Sequence, residues 1–260
     1  MNGREEGTLR RFDLLAASLC ILASVGGLWA ATAVMGGTGL LDALGSIELM
    51  INTDYGHAGA TSTVVLFFVL ALRVFCTGRI AREYGVMSAL AVFVLVRASM
   101  GHAGESGWWS VAMAVEIAHL AAISVWAGLV FVSAWAVVGS IALPLTLTVS
   151  SSYLDRMSRA ATAAVAAILV TGLYNAWQRI GTLANLTHSL YATAFLFKVG
   201  LVAVALLLGG YNKLIGLRQA RDSCQGVRSV RRFLQCESIV LLGVLAAAAT
   251  MSSQQPPTTM

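Results

Sequence analysis

Charge is scarce in this chain: 11% of its 260 residues are charged, whereas soluble domains carry about 25% and need them for their surface. Water is thereby excluded as its main solvent. Stretches of alternating polarity are also missing, which excludes a membrane barrel. There is no phosphate-binding glycine loop ending in Lys-Ser/Thr, no His-Glu-x-x-His helix, no nucleophile elbow and no Cys-x-x-Cys pair, and these absences set aside nucleotide-driven pumping, zinc proteolysis, serine hydrolysis and dithiol chemistry. The reading is of a non-enzymatic protein that uses no nucleotide and binds no nucleic acid.

What is present is apolar residues, 58% of the chain, with mean hydropathy +0.79. Apolar runs of near 20 residues, the length that crosses a hydrocarbon core, recur along the whole chain. They predict an all-α, polytopic transmembrane bundle of about seven helices, near 13–35, 59–77, 84–100, 109–138, 158–180, 190–211 and 231–252. The first run is too long for a signal-peptide core and reads as a retained helix. Connections are short, so residues 1–260 read as a single transmembrane domain in a lipid bilayer.

Orientation follows from cations. Arg4, Arg10, Arg11, Arg73, Arg79, Arg82, Arg156, Arg159, Lys213, Arg218, Arg221, Arg228, Arg231 and Arg232 fall on one side, fourteen of the seventeen Lys and Arg. By the positive-inside rule that side is cytoplasmic. The N-terminus is then expected inside and the C-terminus in the periplasm, with the chain multi-pass in a bacterial inner membrane. Net charge +5 is a topology signal and not a nucleic-acid footprint. Cys20, Cys76, Cys224 and Cys236 fall toward the reducing side and are expected as thiols.

On this topology all four histidines lie in the outer half. His57 and His102 each sit in a Gly-His-Ala-Gly motif at a helix mouth, where small neighbours let another helix or an ion approach. His188, between Thr187 and Ser189, reads as a cap or headgroup contact. His119 is about 15 Å inside the fourth helix, and Glu116, His119 and Trp126 share one stripe. A buried carboxylate beside a buried imidazole can orient the ring, hold a cation or relay a proton; a purely structural pair is the alternative. Met100, two residues before His102, adds a thioether, and thioether with imidazole is a copper-like donor set. Arg73 and Glu237 lie at similar depth and are expected to form an ion pair, with ion or proton coupling as the sharper alternative. Lys198, near mid-membrane, is expected to snorkel or face a water-filled cavity.

Several pieces together carry a family resemblance. They are Gly101-His102-Ala103, Glu116-Ile117-Ala118-His119 leading to Val125-Trp126-Ala127-Gly128, Met157-Ser158-Arg159, Val170-Thr171-Gly172-Leu173-Tyr174-Asn175, and Tyr191 to Lys198. Glu237 and the closing Ser252-Ser253-Gln254-Gln255-Pro256-Pro257 complete the set. Over about residues 100–257 the chain resembles the copper resistance protein D (CopD) family of bacterial inner-membrane proteins. The resemblance implies copper handling at or across the inner membrane, often with a periplasmic copper-binding partner protein. It makes His102 and His119 ligand candidates, with Glu116 as acidic neighbour and Trp126 as packing.

The reading that results is a copper-binding protein of the copper resistance or homeostasis type, in which His57, His102 and Met100 collect copper at the periplasmic face and His119 with Glu116 receives it inside. One alternative is a b-type haem or quinone-linked redox protein, with His119 as one axial ligand. Another is a membrane scaffold or assembly partner for a copper enzyme, its histidines structural.

Overall fold

The computed structural model describes residues 3–138, 147–180 and 190–252, and no strand occurs among them. The long helices are α1 (Gly3–Gly36), α3 (Asp54–Phe75), α4 (Arg79–Ser99), α6 (Val111–Val132), α7 (Leu147–Ile180), α8 (Leu190–Tyr211) and α10 (Cys224–Ser252). Between them lie three short helices: α2 (Ile47–Ile51), α5 (His102–Glu105) and α9 (Leu217–Asp222). Two π-helical turns, Ser133–Val137 and Asn212–Gly216, extend α6 and join α8 to α9. The expected bundle of about seven helices is the fold, and six of the seven are long and apolar enough to cross a membrane. The other is α4, which carries Arg82, Glu83 and Arg97 among its 21 residues. Leu22, Phe68, Val170 and Leu207 stand exposed on these helices, as side chains must where hydrocarbon is the solvent.

The helices run further than hydropathy suggests. Residues 147–157 and most of 212–230 are helical, although their polarity reads as loop. Hydropathy reports only the stretch immersed in lipid, while Leu, Ala, Arg and Gln keep a helix going past the headgroups.

Helix ends are fixed locally. Thr53, Ser110 and Ser223 accept hydrogen bonds from the amides of Gly56, Met113 and Gly226, at 2.9, 3.1 and 3.0 Å. Each satisfies an amide that the first turn leaves without a partner. α1 ends on Gly37 with φ of +61°. The Thr38 amide reaches Ala33 O and the Gly37 amide Val34 O, a Schellman closure that needs the left-handed conformation glycine adopts freely.

The chain divides within α6 into two compact units, Met1–Ile117 and Ala118–Met260. In the first, α1 and α3 meet through the Ser24–Thr63 hydroxyl pair at 2.9 Å and through Gly59, where a methyl would collide with Leu28. α3 and α4 pack through Val69, Val86 and Ala89. Arg73 of α3 ties three helices, meeting Asp13 of α1 at 2.9 Å and Glu83 of α4 at 2.8 Å.

In the second unit α8 and α10 make the most extensive contact. Its core gathers Trp126, Val130, Leu154, Ile168, Val230 and Leu234. Two indoles of one helix reach neighbouring positions of α10, Trp126 to Glu237 at 3.2 Å and Trp135 to Ser238 at 3.1 Å. Nine residues of regular α-helix would set those indoles on opposite faces; the intervening π turn changes the phase. Arg231 donates to Ala134 O at 3.1 Å within that turn.

Candidate functional site

His119 lies on α6 and is half-buried. Its Nδ1 is 2.8 Å from the Thr171 hydroxyl on α7. That hydroxyl has a single proton and gives it to Ala167 O one turn back, at 2.6 Å. Its oxygen is therefore left to accept, so Nδ1 carries the ring hydrogen and the lone pair sits on Nε2. The ring can come this close because the next residue on α7 is Gly172: a Cβ there would lie 3.3 Å from His119 Cε1. An imidazole with one nitrogen hydrogen-bonded and the other carrying its lone pair is how a metal-ligating histidine is oriented.

Glu116 stands three positions before His119 on the same helix, half-buried and partnered. The division between the two units falls between them.

In the first unit the other candidates collect at one end of the α3–α4 pair. His57 is exposed in the first turn of α3. Met100 ends α4, and its methyl would lie 3.6 Å from a Cβ at Gly59, two residues after His57. His102 begins α5 immediately beyond. The Met100 sulfur accepts from Arg97 Nη1 at 3.2 Å, and a guanidinium there opposes a cation on that sulfur, so Met100 is a weaker candidate than its spacing suggested. Among the described residues no three of His, Cys, Asp and Glu converge as a preformed metal site. His188 lies outside the described residues.

The ion pair expected between Arg73 and Glu237 is replaced. Arg73 is satisfied by Asp13 and Glu83 at the end of α3 remote from His57. Glu237 is 3% exposed and accepts from the Trp126 indole. Trp126 is thus more than packing. Lys198, half-buried on α8, is also partnered.

Comparison with known proteins bears on what such a bundle belongs to. Residues 152–251 match the family described as Copper resistance protein D. Over 223 residues the chain is 30% identical to a protein of Bacillus subtilis (strain 168) described as "Copper transport protein CutJ". Residues 152–251 are thus a CopD-family region. The alignment to the Bacillus protein takes in 79% of this chain and 38% of that relative, so the chain spans well under half of the relative's length. No solved structure matches. Together with six apolar helices, the family makes this a multi-pass membrane protein. The CopD match contains Thr171, Gly172 and Glu237, while His57, Met100, His102, Glu116 and His119 precede it.

Thr171 as orienting group and Trp126 as the partner of Glu237 were not anticipated. Both lie in segments that carried the resemblance, but pairing a hydroxyl with a ring fifty-two positions away needs the α6–α7 register, which one sequence does not supply.

Proposed function

We propose that this protein binds copper at the periplasmic face of a bacterial inner membrane and passes it into or across the bilayer. His57 and His102, with Met100 in a lesser part, collect the ion, and His119 with Glu116 receives it inside the bundle. The observation that carries the reading is the Ala167–Thr171–His119 chain of hydrogen bonds, which supports Nε2 as the ligating nitrogen, one helical turn from Glu116. The CopD-family region supports copper as the cargo, and so does the name of the Bacillus relative. Imidazole serves copper in both oxidation states. In the first unit Arg73, Arg79 and Arg82 lie at the end of the α3–α4 pair opposite His57, which supports entry from the periplasm. In this reading the protein catalyses no covalent step and receives its ion from a periplasmic copper-binding protein.

Metal analysis of the purified full chain tests the proposal. Bound copper is expected on the unaltered protein and its loss when His102 and His119 are both changed to alanine. Unchanged stoichiometry in the double variant would sink the site.

A further inference from the structure

The second unit holds a cavity of about 210 Å³ among α6, α7, α8 and α10, room for several water molecules at about 30 Å³ each. None of the copper candidates lines it. Most of its wall is apolar; the polar groups on it are Trp126, Ser158, Thr162, Asn212, Lys213 and Glu237.

Two of these are buried with less than their chemistry requires. Glu237 is 3% exposed, and the Trp126 N–H is a neutral donor on Oε1 only. Across from the carboxylate α8 presents Gly209, where a Cβ would come within 3.2 Å of Oε1, so the carboxylate faces bare backbone. Asn212 is 4% exposed, its Nδ2 donates to Val230 O at 3.4 Å, and its Oδ1 has no partner. Reversing the amide would set oxygen against oxygen, so that orientation stands. An unpaired carboxylate and an orphaned carbonyl are both costly to bury, and both ask for a positive or hydrogen-donating guest.

The donor set says which guest. Thr162 gives its proton to Ser158 O at 2.7 Å and its oxygen is taken by Lys213 Nζ at 2.9 Å. Oε1 is taken by Trp126. Oε2 and Asn212 Oδ1 are too few for a metal ion's shell of four or more, while a proton needs one oxygen. Besides Glu237, Lys213 is the ionisable group on the lining among the described residues: what α6, α7 and α8 contribute, such as Val130, Met157, Ser158 and Ala205, carries no charge. The Lys213 ammonium is held by Thr162 and stands on an exposed residue.

We propose that Glu237 is a proton-binding residue, taking up and returning a proton through this cavity. A hydronium entering the cavity gives its proton to Oε2, forming an O–H bond and leaving water. The reverse step returns the proton to water and restores the carboxylate. This site stands whether or not the cargo is copper.

Infrared difference spectra of the purified full chain, recorded as pH is lowered, test it. A carbonyl-stretch band of a buried carboxylic acid is expected to grow in, to shift in D₂O, and to be lost in Glu237→Gln. Glu237→Asp, which keeps a carboxyl and guards against a misfolded Gln variant, is expected to move the band. An unaltered protein with no such band would overturn the assignment, and so would a band that is the same in both Glu237 variants.

Discussion

Thr171→Val is the most direct probe of the histidine that carries the copper reading. Valine keeps the branched shape of threonine and removes the one oxygen that holds His119 Nδ1–H at 2.8 Å. α7 itself loses only a local bond from that hydroxyl to Ala167 O. Without the acceptor nothing at Thr171 keeps the hydrogen on Nδ1, and the ring loses a contact that helps to fix its plane. Removing such an orienting partner lowers metal affinity about 10- to 100-fold, which is about 1.4–2.7 kcal/mol. The measurement is competition for copper between the purified chain and a chelator of known affinity, with thermal melting as the control for folding. Thr171→Ser returns the hydroxyl and is expected to return most of the affinity. If Thr171→Val binds copper as tightly as the unaltered protein while His119→Ala does not, the hydroxyl is not what orients the ring. Tighter binding in Thr171→Val would mean that Nδ1 is the ligating nitrogen, and the tautomer argument would fall.

Gly172→Ala places a methyl 3.3 Å from His119 Cε1, so the ring must yield; a loss of about 1–3 kcal/mol is expected in melting, with weaker copper binding alongside. A double-mutant cycle on Arg73→Gln and Glu237→Gln should be additive within about 0.5 kcal/mol, because each group is satisfied by other residues; a coupling well above that would restore the ion pair. Gly37→Ala, at φ +61°, should cost about 1–2 kcal/mol of α1 stability, read as earlier melting, and Gly37→Asn less. Membrane-impermeant thiol reagents applied to a cysteine introduced at Ser106 should label it in intact spheroplasts; labelling only after lysis would put that turn in the cytosol and end the proposed route of entry.

The helices were legible because a hydrocarbon solvent leaves a coarse signature, long apolar runs, and six of the seven long helices carry it fully. Their ends were not, since the turns at 147–157 and 212–222 are polar yet helical. The same blind spot explains the Arg73 misreading. Its true partners, Asp13 and Glu83, sit at the first residue of one predicted span and one residue before another. A charge at a span boundary looks as if it faces water, whereas Glu237 lies at a depth similar to Arg73. Once helices are allowed to run past the lipid, those boundary charges become side-chain partners across neighbouring helices.

For Glu237 the failure was of a different kind: sequence reading looks for a charge to answer a charge, and this carboxylate is answered by an indole N–H. A neutral donor leaves no complementary signature in composition, but its consequence is chemical. It lowers the cost of burying the carboxylate without fixing its charge, which an arginine at the same place would do. The same contrast separates the two kinds of buried polar group in this chain. Arg73 locks three helices with full charges and has no freedom left to act. Glu237 is engaged at Oε1 by a neutral indole and His119 is met at Nδ1 by a neutral hydroxyl, so neither group has its charge fixed at that contact, and in the proposed roles Nε2 and Oε2 are the atoms on which an ion and a proton would act.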